Sequence, residues 1–530
     1  MSYWAKTPIP REQQVLFAPT LDAMIPEGHP ARLLEEILVT CSFSAWEATY
    51  DGSRGQPPIH PRILAGILLY GLTRSVRSSR HLEYLTGNNI DFMWLSQGHR
   101  PDHSTLCGFR RRFHDELKDL FKQIGRIAMT MGVIRLGEIT LDGTRVKANN
   151  SRSATATGEK LKKRLAALDE QIERLLSEAE AADKADEQRF FADESTQALP
   201  AELSELEKRK AQLEAAIEKV AAADEQRRKD GINSEKRPAQ LPLTDPDSKV
   251  LPNKEGGYAP NYTPMAAADT HRGYLIDGDV LAQANEHSAT VETVDRVEET
   301  FGIRPERLLA DSPHGTGQNL TELGERGVEL LSPIDSKPPQ EGTPVCREDP
   351  SQPIPETEWA KLPRSKKTKK LDKSAFVYDA TKDIYYCPQG KVLGYTGTHR
   401  ERRNSGERRR RVYCCKECKG CPLRSECQNV NASRGRSVHR DEYEEQRERL
   451  AIKMQTDDAK TAYRRRLHAG ETPFAVIKAT MGLRQFLMRG LEHVKTEWLW
   501  ACTAFNLIKL VRDVSRMRAK FAKLAVSAAG

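Results

Sequence analysis

At 530 residues, with 38% apolar and 30% charged residues, the chain reads as soluble and globular and is too long for a single core, so two or three units are expected. Its 83 Lys and Arg against 75 Asp and Glu leave a net charge of +8, which allows an anionic partner without requiring one. The longest apolar run, ILAGILLYGL from Ile63, is about half of what a bilayer-spanning helix needs, and MSYWAKTPIPREQQ lacks the apolar stretch of a secretion signal. A membrane protein is excluded on this reading, and the expected location is the cytoplasm.

Residues from about 20 to 136 read as helical. LLEEILVTC and RILAGILLYGL carry apolar residues at helical spacing, and the second is entered through His60-Pro61, with proline at its favoured first position. RHLEYLTG and HSTLCGFRRRF follow turn-rich segments; Asp102 or Ser104 can cap the last helix, which carries Arg110, Arg111 and Arg112. The pattern fits a helix-turn-helix DNA reader and equally a small bundle with a basic surface. GEITLDGTRVKANNS then places Asp142 within or at the end of a strand. Next, Leu165, Leu168, Ile172 and Leu175, and later Leu203, Leu206, Leu213, Ile217 and Val220, predict an antiparallel helical hairpin closed on its own apolar seam. Strand-like TPMAAADT and GYLIDGDVL, helical HSATVETVDRVEETFG and strand-like RLLADSPHG predict an α/β layer. The Pro- and Lys-rich stretch from about 336 to 380 predicts loop, and Asp441 to Lys523 predicts long helices.

Asp142 and Asp311 each close a strand-like run, EITLD and RLLAD, at the kind of strand end where ligands and metals collect in α/β sheets. Taken singly, either is as readily a turn former. AYRRRLHAGETPFAVIK adds Tyr463, Arg466, Glu471 and Lys478 within sixteen positions, and Glu471 and Lys478, seven apart, fall on one helix face. Glu492 and Glu497 compete as third carboxylates but lack the flanking Tyr, Arg and Lys.

Five of the ten cysteines crowd between Cys414 and Cys427, which suggests metal before disulfide in a cytosolic chain. Structural Zn²⁺ needs four soft ligands at tetrahedral positions. Cys387, Cys418, Cys421 and Cys427 are the favoured set, with Cys415 and Cys414 as alternates and free thiols as the metal-free reading. Between Cys387 and this cluster lies THRERRNSGERRRRVY; Arg408, Arg409, Arg410 and Arg411 read either as solvated surface or as a track for a phosphate backbone. His271, His287 and His314 are given no special role.

The order Tyr, Arg, Glu, Lys in AYRRRLHAGETPFAVIK resembles the third catalytic block of the DDE transposases of bacterial insertion sequences, in particular the 1182 family. The resemblance extends over most of the chain, through PPIHPRILAGILLYG, PDHSTLCGFRRRF, ITLDGTRVKANNS, YAPNYTPMAAAD, LLADSPHGTGQNL and CPQGK with CKECKGCPLRSEC. It implies an α/β, ribonuclease-H-like catalytic core, with Asp142, Asp311 and Glu471 as metal-holding catalytic carboxylates and Tyr463, Arg466 and Lys478 as DNA-contacting partners. Relatives often have an Asp-x-Gly-Tyr turn where this chain has Asp311-Ser312-Pro313-His314-Gly315.

The expected organisation is an N-terminal helical DNA-binding domain over 1–136 and a core over 137–335 with a helical hairpin inserted at 155–235. A cysteine-rich, zinc-binding insertion over 336–440 and C-terminal core helices over 441–530 follow. Mg²⁺ or Mn²⁺ would serve cleavage and strand transfer, since two hard cations about 3.5–4 Å apart activate the attacking oxygen and neutralise the leaving one. The implied partners are terminal inverted repeats and target DNA, with a homodimer in the synaptic complex. A decayed, non-catalytic DNA-binding protein and a metal-dependent nuclease are the rival readings.

Overall fold

The computed structural model describes residues 20–529 apart from 51–56, 151–153, 188–200, 230–234, 236–237, 254–255, 284, 335–341, 366, 404–405, 430–431 and 433, with backbone only at 178–187, 201–202, 401–403, 406–408 and 521–529. The N-terminal part is helical: α1 (Pro30–Val39), α2 (Ser44–Glu47), α3 (Pro61–Thr73), α4 (Ser79–Asn88), α5 (Ile90–Leu95), α6 (His103–Arg112) and α7 (His114–Thr130). Pro61 opens α3, where the His60 ring accepts from the Arg62 amide. Asp102 is the cap of α6, accepting from Thr105 N at 2.6 Å, while the Ser104 hydroxyl turns back onto Asp102.

The sheet region follows as β1 (Glu138–Gly143), β2 (Val146–Lys147), β3 (Thr155–Thr157), α8 (Gly158–Glu187), α9 (Ala201–Lys229), β4 (Gln240–Pro242), β5 (Lys249–Pro252), β6 (Tyr258–Asp269), β7 (Leu275–Leu281), α10 (Ala289–Phe301), β8 (Arg307–Ala310), α11 (Gly317–Glu325) and β9 (Glu329–Leu331). The first half of β6 pairs with β2 and β5 and its second half with β1 and β7, all antiparallel; β1, β8 and β9 run parallel side by side. Strand β6 is buried along almost its whole length, which is why PMAAA reads as a continuous small apolar run and not as an alternation. Helices α8 and α9 pack together in the stretch where the helical hairpin is expected; their connection lies outside the described residues. Leu161 and Val220 close a small core with Ala156, Ala239 and Leu241, and Lys210 pairs with Asp169 across the two helices at 2.8 Å.

Beyond β9, β10 (Val377–Asp379), β11 (Ile384–Tyr386), β12 (Val392–Arg403), β13 (Gly406–Cys415), the short helix α12 (Arg424–Cys427) and β14 (Ser437–Asp441) build an antiparallel sheet in the order β10-β11-β12-β13-β14. It has its own apolar core, and the stretch expected to be loop contributes to it. Ile354, Leu362 and Leu371 are buried there, beside 3₁₀ turns at Glu356–Lys361 and Lys373–Ala375. These apolar residues are too widely spaced to show a period, yet each supplies one buried anchor.

The chain ends in α13 (Glu444–Lys453), α14 (Asp457–Arg466), α15 (Thr472–Ala475) and α16 (Leu491–Ala529). From Asp457 to Thr480 the chain is helical without a break, widened by π turns at Leu467–Glu471 and Val476–Thr480. Pro473 accounts for the first: in an α-helix its ring would strike the carbonyl four residues back, and a π turn opens the ladder there. Helix α16 packs on α3, α7 and β7. Trp498 Nε1 donates to Met265 O in β6, and Trp500 Nε1 donates to Arg110 O in α6. The N-terminal helices and the sheet therefore share one continuous core. Truncating either fully buried tryptophan would cost about 3–5 kcal/mol.

Candidate active site

Strand pairing assembles the first half of the site. Leu141 stands opposite Ala310 in the parallel β1–β8 pair, so Asp142 and Asp311 emerge side by side at the C-terminal ends of neighbouring strands. The helical run beyond α14 supplies the third carboxylate. Gly470 lets it approach, since a Cβ there would lie 3.1 Å from Thr140 Oγ1 and 3.6 Å from the Asp142 Cβ. Glu471, directly after it, lines the same cleft of about 700 Å³ as Asp142 and Asp311.

Arg466 stands among the three. Its guanidinium lies 3.5 Å from Asp142 Oδ1, 3.7 Å from Asp311 Oδ2 and 4.0 Å from Glu471 Oε1, and the residue is 7% exposed. The strain expected from three like charges is therefore relieved by a built-in cation. Tyr463 lies under the guanidinium, 5.8 Å from ring centroid to Cζ, and burial raises its hydroxyl pKa. Lys478 lines the cleft too, and its ammonium donates to Arg145 O at 2.8 Å and to Thr144 Oγ1. Glu471 and Lys478 thus do meet the same cleft, although a π turn alters the helical phase between them.

Two residues at the site carry no local signal in the sequence. Glu286, in the turn between β7 and α10, lines the cleft and pairs with Arg145 at 3.0 Å. Burial pushes its carboxyl pKa up, and Asp311 and Asp142 push it further while Arg145 opposes them. Four carboxylates and three cations therefore line the cleft. His314, set aside on sequence grounds, is fully buried with Nε2 3.4 Å from Asp311 Oδ1; burial lowers its pKa to about 4, which keeps the ring neutral. His271 lies instead near Glu138, by the opposite end of β1, and His287 contacts Asn285.

Glu497 is removed as a third carboxylate: it pairs with Arg77 at 2.7 Å and accepts from the amides of Leu487 and Met488. Glu492 starts α16 in the open, 79% exposed, with Lys495 4.0 Å away. Among the described residues, no three His, Cys, Asp or Glu side chains as placed already close around a metal position.

The cysteines separate into two groups. Cys387, Cys415, Cys418, Cys421 and Cys427 line one small cavity, whereas Cys414 points its Sγ toward Gly435 O and Cys415 O. Burial raises the Cys387 thiol and pushes Cys427 to about 11 and Cys415 to about 12, with neighbouring thiols adding to each shift. The Arg436 amide donates to Cys418 Sγ at 3.4 Å.

The basic candidates divide as well. Arg110 is half-buried and donates to Arg77 O; Arg112 lies over the rings of Tyr50 and Phe113; Arg111 is exposed. Arg409, Arg410 and Arg411 sit on β13, Arg410 opposite His399 and Arg409 opposite Arg400, and Arg411 covers the Tyr395 ring at 4.8 Å. Arg408 is in the same strand, but its side chain lies outside the described residues.

Fold and site together define a mixed α/β protein with a helical N-terminal region and a carboxylate cleft at the ends of parallel strands. Residues 386–511 match the transposase DDE domain model, and residues 19–112 match the transposase domain (DUF772) model. These matches support a bacterial insertion-sequence DDE transposase, of a nucleic-acid-cleaving enzyme family; neither match specifies the 1182 family. No curated protein and no solved structure matches it. The DDE match spans Glu471 and the cysteine cluster but neither aspartate. Among the described residues, no helix is long and apolar enough to cross a membrane.

Proposed function

We propose that this chain cleaves DNA at the ends of its own insertion sequence and joins those ends to target DNA, using Asp142, Asp311 and Glu471 to hold Mg²⁺ or Mn²⁺. One observation carries the reading: three carboxylates from three distant stretches face one cleft, two of them adjacent by strand register, around a single guanidinium. The strand order β7-β6-β1-β8-β9, with β1, β8 and β9 parallel, supports the ribonuclease-H-like core that the resemblance implies.

The donor set suits hard divalent cations. The contacts to Arg466, at 3.5 to 4.0 Å, are longer than hydrogen bonds, so the guanidinium shares the carboxylates without occupying them as a hydrogen-bond donor. Divalent ions at such a site would lower the cost of charge on the attacking and leaving oxygens. Arg466 and Lys478 would then meet the phosphate backbone, Arg through its planar fork and Lys as a point charge, with Tyr463 beneath Arg466. The arginines of α6 and β13 extend that contact, which predicts salt-sensitive binding. The thiol cavity suits structural Zn²⁺, with Cys387, Cys418, Cys421 and Cys427 as the ligands and Cys415 as the alternate. Synapsis of two ends would bring two copies together on DNA in the cytoplasm.

The test is cleavage and strand transfer of labelled DNA carrying the element's own end, with Mg²⁺ or Mn²⁺, comparing wild type with Glu471→Gln. Metal-dependent joined products from the wild type, and binding without cutting by the variant, are expected. Free ends without joining favour a nuclease. Binding without cutting by both favours a decayed transposase.

A further inference from the structure

We propose that His314 is a positioning residue for Asp311, its Nε2–H holding Asp311 Oδ1 so that the other carboxylate oxygen is presented to the cleft. The argument starts from two buried atoms. Asp311 Oδ1 and His314 Nε2 are each buried without a hydrogen-bond partner, and they lie 3.4 Å apart. Asp311 Oδ2 points the other way, toward Arg466 at 3.7 Å. The short turn Ser312–His314, with Pro313 inside it, folds the ring directly back under the aspartate.

The far side of the ring is fixed by a buried polar chain. His314 Nδ1 lies 2.8 Å from Thr290 Oγ1, and Asn319 Nδ2 stands 3.0 Å from Thr290 Oγ1, from His287 O and from His314 O. Thr290, His314 and Asn319 are all buried. The Thr290 hydroxyl lies 2.8 Å from His287 O as well as from Nδ1, and its one proton serves only one of them. His287 O already faces the Asn319 amide; donation to Nδ1 leaves the ring proton on Nε2, opposite Asp311. The other neutral tautomer sets two bare lone pairs of buried atoms against each other, which buried polar groups avoid. A hydrogen bond of this kind to a ligand carboxylate orients it for its metal, and loss of such a partner typically costs 10–100-fold in metal affinity.

The inference rests on the metal-binding reading of Asp311, so the experiment separates the two. Mn²⁺ binding is read from the electron paramagnetic resonance signal of unbound ion, in wild type, His314→Ala, His314→Gln, Thr290→Val and Glu471→Gln, each first checked by circular dichroism. His314→Ala is expected to weaken Mn²⁺ binding by roughly 10–100-fold. His314→Gln, whose amide N–H reaches the Nε2 position, restores most of it, and Thr290→Val falls between. A folded His314→Ala with wild-type affinity overturns the proposal; should that variant fail to fold, wild-type affinity in Thr290→Val overturns it instead. A wild type that binds no Mn²⁺, or a Glu471→Gln variant that binds it unchanged, overturns the metal reading and this inference with it.

Discussion

Asp142, Asp311 and Glu471 come from three distant stretches and meet only because a parallel strand pair and a π-widened helix converge, whereas the clustered cysteines lie within one short stretch, the end of β13, the turns after it and the short helix α12. The carboxylate cleft brings its own cations, Arg466, Arg145 and Lys478. In the thiol cavity, burial and neighbouring thiols raise the pKa of Cys387, Cys415 and Cys427, holding them protonated. A metal entering the first must share or displace a guanidinium; one entering the second must expel protons. On the proposed reading, the first site would fold without metal and act with it, and the second would be completed by it.

The sharpest way to break that comparison is to neutralise one carboxylate. Asp142→Asn should lower cleavage by about 10³-fold or more, the several kcal/mol that a metal contributes to transition-state charge. Its melting temperature should stay near wild type, because Arg466 keeps two of its three partners. Chelation should do the reverse at the other site. Removing Zn²⁺, or replacing Cys418 by Ser, should destabilise the β10–β14 module by several kcal/mol, seen as early proteolytic cutting within it. Measured zinc content near zero in the untreated protein would sink the structural-zinc assignment.

A third effect comes from His314. Its pKa is lowered to about 4 in the folded chain against 6.5 for the free side chain, so the unfolded state binds more protons between those values. Stability from this group is present above pH 6.5 and lost as pH falls toward 4, by up to about 3 kcal/mol. Denaturant titrations from pH 7 to pH 4 should show that loss, and His314→Gln should flatten it.

What the sequence made legible follows the range of the signals. The helices of the N-terminal part, the hairpin and the strands around both aspartates are marked by local periodicity, and Glu471 by its neighbours Tyr463, Arg466 and Lys478. Arg466 is visible in that pattern as a DNA contact, but its place among three carboxylates depends on strand register, which no local pattern encodes. Likewise, the fusion of the N-terminal helices with the sheet rests on Trp498 and Trp500 of a helix almost 400 residues later than α6. Glu286 sits in ANEHS, where only the folded β6–β7 pair reveals that it faces Arg145. Cys415 joins the thiol cavity and Cys414 leaves it because adjacent residues of a strand point to opposite faces.

Glu286 gives the smallest expected effect and tests how many carboxylates the cleft uses. Its ion pair with Arg145 is partly shielded from water, and burial works against its charge. Glu286→Gln keeps the shape and an acceptor for the guanidinium, so stability should change by only about 1 kcal/mol or less. If the residue serves only to hold Arg145, cleavage falls by a few-fold, with the metal concentration for half-maximal rate unchanged. A loss matching that of Glu471→Gln, together with a raised metal requirement, would instead place Glu286 beside Asp142 and Asp311 as a fourth ligand. Gly143 favours the first outcome. The Glu286 carboxylate lies so close over that glycine that an added Cβ would be 2.5 Å from Oε2, so the backbone crowds that oxygen while Arg145 holds Oε1.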